Sequence, residues 1–239
     1  LMFGQDPSRV ATLAARGVRI MQLTYNDANL AGCGSQVQPD TGLSAWGADL
    51  LQAMAQARVL VDLSHASDAT LRGALAVHPG PLLVSHTGCR ALADHRRNVA
   101  DADLRAVAAG GGVVGVYAMP FLRQRGQPLL ADWVAHIEHA WQVCGEDHVG
   151  IGTDGPLSAV DDVASYMRYL AEDIAERRRL GVSAAGEDPE VALFLPDCRG
   201  PGQFRQLAQA LQARGHGGAR LDKLLGGNAL RLWRSVAGA

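Results

Sequence analysis

The sequence predicts an α/β fold, and within that class a (β/α)8 TIM-type barrel. Short apolar runs rich in Val and Leu alternate with helical patterns of ~10–15 residues, which indicates parallel βαβ units. Several of these runs end in a side chain suited to acid–base chemistry or metal binding, as barrel strands often do. At 239 residues the chain is close to the ~250 of a typical barrel, so we expect one domain over residues 1–239.

Five strands are expected in chain order, over residues 17–25, 59–63, 82–84, 113–116 and 148–154. Leu1–Phe3 is a sixth, weaker candidate. A closed barrel of eight strands needs two more, and we see none after Asp154. We therefore expect a barrel that lacks its first one or two βα units, in a sequence that is incomplete at its amino end.

The expected helices follow the strands. Ser44 is a plausible N-cap for a helix over residues 45–57, and Ser67 or Asp68 for one that ends near Val77. Further helices are expected from Asp101 to a stop at Gly110, and over residues 130–144 and 161–180. Residues 181–202 are expected to form an irregular loop before two last helical pieces, the final one over about 228–236.

Three predicted strands end in side chains that could bind a metal or transfer a proton. His65 closes Val-Leu-Val-Asp-Leu-Ser-His, His86 closes Pro-Leu-Leu-Val-Ser-His, and Asp154 closes His-Val-Gly-Ile-Gly-Thr-Asp. Because the carboxyl ends of parallel strands meet on one face, these side chains should converge. Imidazole and carboxylate are ordinary zinc ligands, so the pattern predicts a metal site. Asp62, just before His65, should point to the other side of its strand or support the loop.

Composition excludes several classes of function. A net charge of −2 gives no basic field for nucleic acid, and no run approaches the ~18 apolar residues of a membrane span. The four scattered cysteines include no Cys-x-x-Cys pair, so we expect reduced thiols. No secretory signal is visible, which favours a cytoplasmic protein unless a leader precedes residue 1.

Seven stretches together resemble the membrane (renal-type) dipeptidases, the M19 metallopeptidases of the amidohydrolase superfamily. They occur in the family's order and extend over most of the chain. They are residues 17–26, 42–44, 61–65, 85–86, 95–98, 148–154 and 225–231.

The resemblance implies a zinc-dependent enzyme with one or two ions, which hydrolyses dipeptides through a metal-activated hydroxide. His65 and His86 match the family's two late histidine ligands. Asp154 matches its proton-transfer aspartate, and Arg97 matches the arginine that holds the substrate carboxylate. A small dipeptide is the expected partner, and a homodimer is left open.

The sequence departs from the family pattern at three positions. Tyr25 stands where the family has a histidine beside the scissile carbonyl, and it could donate to the developing oxyanion. Gln5 stands where a glutamate bridges both metals, so it is a weak candidate ligand. The family's first His-x-Asp ligand pair has no match. Two alternatives therefore stay open: a non-catalytic, truncated or degenerate barrel, and an amidohydrolase for another amide or lactone.

Two further histidines, His136 and His139, lie three residues apart on an expected helix and could share a metal. That helix should pack outside the barrel, away from the strand ends. We therefore expect the pair to lie on a solvated helix face.

Overall fold

The centre of the molecule is a sheet of five parallel strands in the order β1-β2-β3-β4-β5. The computed structural model of the chain describes residues 5–155, 157–181 and 187–238. The strands are β1 (Ile20–Gln22), β2 (Leu60–Asp62), β3 (Leu83–Thr87), β4 (Val113–Val116) and β5 (Val149–Ile151). The predicted α/β class with parallel strands is therefore confirmed, whereas the candidate strand Leu1–Phe3 lies outside the described residues.

Three strands, β1, β2 and β5, are shorter than their apolar runs, and β4 has the bounds expected for it. The run over residues 17–25 forms a strand only over Ile20–Gln22, and Gly17 at its start adopts a left-handed φ of +99°. β3 extends beyond its predicted end at Val84, since it continues through His86 to Thr87. The residues left over at the carboxyl ends of β1, β2 and β5 form the loops that carry the candidate functional groups.

Helices separate the strands as predicted. They are α1 (Arg9–Ala15), α2 (Ala45–Gln56), α3 (Asp68–Val77), α4 (Asp101–Ala109), α5 (Leu130–Cys144), α6 (Val163–Arg179), α7 (Gln203–Ala213), α8 (Ala219–Asp222) and α9 (Asn228–Ala237), with a π-helical turn (Lys223–Gly227) before α9. Ser44 and Ser67 cap α2 and α3, because their hydroxyls accept hydrogen bonds from the amides of Gly47 (2.9 Å) and Thr70 (3.1 Å). Residues 187–202 contain no helix or strand, as expected of that loop, and residues 182–186 are not described.

The helices bury the sheet and close its amino end. All residues of β2 and β4 are buried. Leu232 of α9 packs against Leu60 and Val113, the first residues of β2 and β4. The Asn228 side-chain amide donates to the carbonyls of Glu146 (2.7 Å) and Val149 (2.8 Å), which holds α9 to the start of β5. The candidate groups lie at the opposite, carboxyl end.

Two glycines allow the central strands to approach closely beside the site. A Cβ on Gly115 or Gly152 would lie 2.0 or 1.8 Å from the carbonyl oxygen of Ser85. The register between β3 and β4 also shifts between Val84 and Thr87, which breaks the strict alternation of side chains along β3. Among the described residues, no helix is both long and apolar enough to cross a membrane.

Candidate metal centre

His65, His86 and Asp154 converge at the carboxyl end of the sheet. His65 follows β2 by three residues, His86 lies within β3, and Asp154 follows β5 by three residues. One potential ligand atom from each side chain lies within 4.8 Å of the other two. The parallel strands thus bring together groups that are up to 89 positions apart in the chain (154 − 65).

The Nε2 atom of His86 is a potential metal ligand that makes no hydrogen bond to the described residues. It is buried, and buried ring nitrogens normally have a hydrogen-bond partner. The nearest carboxylate oxygen, Oδ2 of Asp154, lies 3.8 Å away. Two ligand atoms on a tetrahedral zinc ion with bonds of 2.0–2.2 Å lie about 3.3–3.6 Å apart, so the pair is close to that spacing. The donor set and the orphaned nitrogen both fit a zinc ion.

His65 is oriented by two neighbours from the end of β1. Its Nδ1 lies 2.9 Å from the amide oxygen of Asn26, which can only accept, so Nδ1 carries the proton and Nε2 keeps its lone pair. The ring of Tyr25 stacks on the His65 imidazole with centroids 4.1 Å apart, and His86 meets it edge-on at 5.0 Å. These neighbours therefore fix both the orientation of the imidazole ring and its tautomer.

The backbone at two of the three candidate ligands is strained. His65 has a φ of +65° and Asp154 a φ of +54°, both in the left-handed region. Such conformations cost about 1–3 kcal/mol and persist where the surrounding structure imposes them, often at functional sites. Each occurs three residues beyond a strand end, where it turns the side chain into the shared space.

Burial keeps both imidazoles neutral. Desolvation, with smaller effects of the Arg97 and His86 charges, lowers the pKa of His65 to about 3. Desolvation also lowers the pKa of His86, against an opposing effect of the Asp154 carboxylate. Since only a neutral imidazole can bind a metal, both side chains are ready to act as ligands at neutral pH.

Arg97 is a buried cation whose charge acts on both His65 and His86. Its side chain is 5% exposed, and one terminal nitrogen is buried with no hydrogen-bond partner in the part of the chain that the structure describes. The carboxylates of Asp154 and Asp62 and the hydroxyls of Tyr25 and Tyr117 are the polar groups that act on it electrostatically. Arg97 is thus a guanidinium with an unused donor.

Tyr25 and Gln5 occupy more exposed positions. Tyr25 is 64% exposed, so its phenol lies at the surface of the site above His65. Gln5 is exposed in a turn before α1, and its backbone carbonyl accepts a hydrogen bond of 3.0 Å from the Trp46 indole. Gln5 lies outside the five strands of the sheet, and its role as a ligand stays a prediction.

The expectation of a solvated face for His136 and His139 is wrong for His136. It is 1% exposed, accepts from the Cys89 amide at 2.9 Å and lies 3.0 Å from the Leu122 carbonyl, to which its other nitrogen donates. Burial lowers its pKa to about 4. His139 is half-buried and pairs with Asp101 at 2.9 Å. Both therefore have structural partners and neither belongs to the metal centre.

Three supporting side chains were not predicted from the sequence as part of the site: Asn26, Asp62 and Ser85. The Asp62 carboxylate supports the loop after β2, which was one of the two arrangements expected for it. One of its oxygens accepts hydrogen bonds from the amides of Ser64 (3.0 Å) and Ser85 (2.9 Å). The only signal in the sequence is a carboxylate inside a fully apolar strand, which requires a partner when buried.

Several known proteins are similar to this chain in sequence. The sequence is 37% identical over 171 residues to an uncharacterised dipeptidase of Schizosaccharomyces pombe, a match that covers 66% of this chain and 41% of that protein. It is 34% identical over 177 residues to dipeptidase verJ of Clonostachys rogersoniana, covering 70% of this chain and 45% of that protein. The chain thus spans less than half the length of these relatives.

A solved amidohydrolase from Pseudomonas aeruginosa superposes with a TM-score of 0.83 at 30% identity, covering 99% of this chain and 70% of that one. The sequence model of the membrane dipeptidases, peptidase family M19, matches residues 1–180. The resemblance inferred from the seven stretches is therefore confirmed: the chain belongs to the membrane dipeptidase family.

Proposed function

We propose that this protein is a metal-dependent dipeptidase whose centre is built on His65, His86 and Asp154. The observation that carries the proposal is the buried, unpartnered Nε2 of His86, which faces the Asp154 carboxylate at 3.8 Å. Both curated relatives named above are called dipeptidases, which supports a dipeptide as the substrate.

Zinc is the metal that this donor set favours. Two neutral imidazoles and a carboxylate leave a fourth position open, as catalytic zinc sites require. When bound, the ion supplies a Lewis acid and a water of lowered pKa. A second ion would need ligands besides these three, and Gln5 is the candidate that the sequence offers.

Asp154 is the proposed proton carrier. Its side chain is 34% exposed, so water reaches it, and it faces the two imidazoles. A carboxylate that binds the ion through one oxygen keeps its other oxygen free, and that oxygen can take a proton from the attacking water and return it to the leaving amine.

Arg97 and Tyr25 are the proposed substrate-binding residues. The unused donor of Arg97 suits a free terminal carboxylate, because a charge-assisted hydrogen bond is strong and a guanidinium can bind a carboxylate through two N–H groups. Tyr25 lies over His65 with its ring exposed, where its hydroxyl can donate to a polarised carbonyl oxygen.

The proposed fold of the whole protein is a (β/α)8 barrel. Its support is the order of the five strands, each paired with its neighbour in the chain and each parallel to it, with the candidate site at their carboxyl ends. In such a barrel β1 and β5 would pair with further strands.

Zinc analysis of histidine variants tests the proposal. We expect zinc to co-purify with the folded protein, and to be lost in His65→Ala and His86→Ala. His139→Ala is the matched control, because His139 pairs with Asp101 on α4 and should leave zinc unchanged. Hydrolysis of a small dipeptide panel should fall with zinc content. Unchanged zinc in a folded His65→Ala/His86→Ala double variant would refute the site.

A further inference from the structure

Asp62 connects to His86 through one hydroxyl group, although it is not among the candidate ligands. Its side chain is 5% exposed at the end of β2. Its Oδ2 accepts a hydrogen bond of 2.5 Å from the Ser85 hydroxyl, and the same hydroxyl oxygen lies 2.8 Å from Nδ1 of His86. The register shift in β3 allows the consecutive side chains of Ser85 and His86 to meet, which regular alternation along a strand would prevent.

The direction of each hydrogen bond that links Asp62, Ser85 and His86 follows from the number of protons that each group carries. A carboxylate has no proton to give, so Ser85 donates its single hydroxyl proton to Asp62. The Ser85 oxygen must then accept its other contacts, one from the Ser64 hydroxyl at 3.0 Å and one from His86 Nδ1. The His86 proton therefore resides on Nδ1. Its lone pair is on Nε2, the atom that has no partner and faces Asp154.

We propose that Asp62 and Ser85 are positioning residues, which hold His86 in the tautomer that presents the Nε2 lone pair to the metal. The inference rests on the proposed metal centre for its consequence, but the tautomer is a property of the metal-free protein. Asn26 orients His65 in the same sense through a single neutral amide oxygen. The two histidines thus reach the same tautomer by different means, and only that of His86 depends on a charge.

The variant Asp62→Asn reverses this chain of hydrogen bonds while it keeps the backbone contacts. The Asn oxygen can still accept from the amides of Ser64 and Ser85, which occupy Oδ1 in the native protein. The amide nitrogen then takes the place of Oδ2 and donates to Ser85. The Ser85 hydroxyl is released to donate to Nδ1 of His86, which moves the imidazole proton to Nε2 and removes the metal-facing lone pair.

The test combines zinc affinity with nitrogen-15 NMR of labelled histidine. In zinc-free wild-type protein, His86 should show a protonated Nδ1 and an unprotonated Nε2, and Asp62→Asn should reverse this assignment. Zinc affinity, measured by competition with a chelator, should fall about 10- to 100-fold, the usual cost of losing a partner behind a metal ligand. Asp103→Asn is the matched control, since Asp103 is equally buried (4% exposed) but pairs with Arg72 on α3. It should change neither readout.

Ser85→Ala gives a second, independent variant in case Asp62→Asn does not fold. It removes the connecting hydroxyl and should weaken zinc binding to a similar extent. If either folded variant keeps both the wild-type zinc affinity and the Nδ1-protonated His86, the proposal is overturned. A wild-type protein that binds no zinc would instead refute the metal centre, and the NMR assignment of His86 would still decide the role of Asp62 and Ser85.

Discussion

Replacing Arg97 by Met should separate recognition of the substrate carboxylate from support of the fold. The Met side chain keeps an apolar stem of similar length and removes the guanidinium. Among the described residues, no acceptor is recorded for the buried terminal nitrogen of Arg97, so that donor contributes no hydrogen bond to the folded protein. We therefore expect the free energy of unfolding to fall by less than about 1 kcal/mol, since that donor has no hydrogen bond to lose.

The effect on substrate should be much larger. A hydrogen bond to a charged group contributes about 1.5–3 kcal/mol, so KM for a dipeptide should rise about 10- to 150-fold. The C-terminal amide of the same dipeptide lacks the charge and should be affected several-fold less. Arg96→Met is the matched control, because the neighbouring Arg96 is exposed and should leave both KM values close to wild type.

The KM values are measured by steady-state kinetics on the acid and amide substrates. The stability of each variant is measured by urea unfolding. Equal changes in KM for acid and amide would refute carboxylate recognition. A large loss of stability in Arg97→Met would show instead that the cation is needed to balance Asp154 and Asp62, the nearby carboxylates.

Three further outcomes are expected. The pKa of His136 is lowered to about 4 from 6.5, so between these pH values the folded protein keeps the imidazole neutral while the unfolded chain takes up a proton. The free energy of unfolding should therefore fall by up to about 3 kcal/mol as the pH drops from 6.5 to 4. Urea unfolding at pH 7 and 4.5 should show a smaller fall in His136→Asn than in wild type, and an equal fall would contradict the assignment. Gly152→Ala places a Cβ 1.8 Å from the Ser85 carbonyl and should destabilise by about 1–3 kcal/mol or more, whereas Gly202→Ala, with no atom within 4 Å, should be nearly neutral in thermal unfolding. The 239-residue chain should self-associate through its edge strands β1 and β5, and a concentration-independent monomer by light scattering would count against this.

The sequence by itself determined the features that depend on neighbours along the chain. The alternation of apolar runs and helical patterns predicted all five strands of the described sheet, and Ser44 and Ser67 were predictable caps because a cap bonds to an amide three residues away. His65, His86 and Asp154 could be selected because each follows or ends an apolar run, and parallel strands bring such ends together.

Only the tertiary structure decided how the side chains are paired. The stacking of Tyr25 on His65 depends on the loop after β1, and the contact of Ser85 with His86 depends on a register shift in β3. The burial of His136 depends on the Cys89 loop and the Leu122 turn folding over α5. These contacts join segments up to 47 positions apart (136 − 89), so local propensity and hydrophobic periodicity contain no information about them. Packing of the sheet and its loops makes these pairs, and it acts between segments that are distant in the sequence.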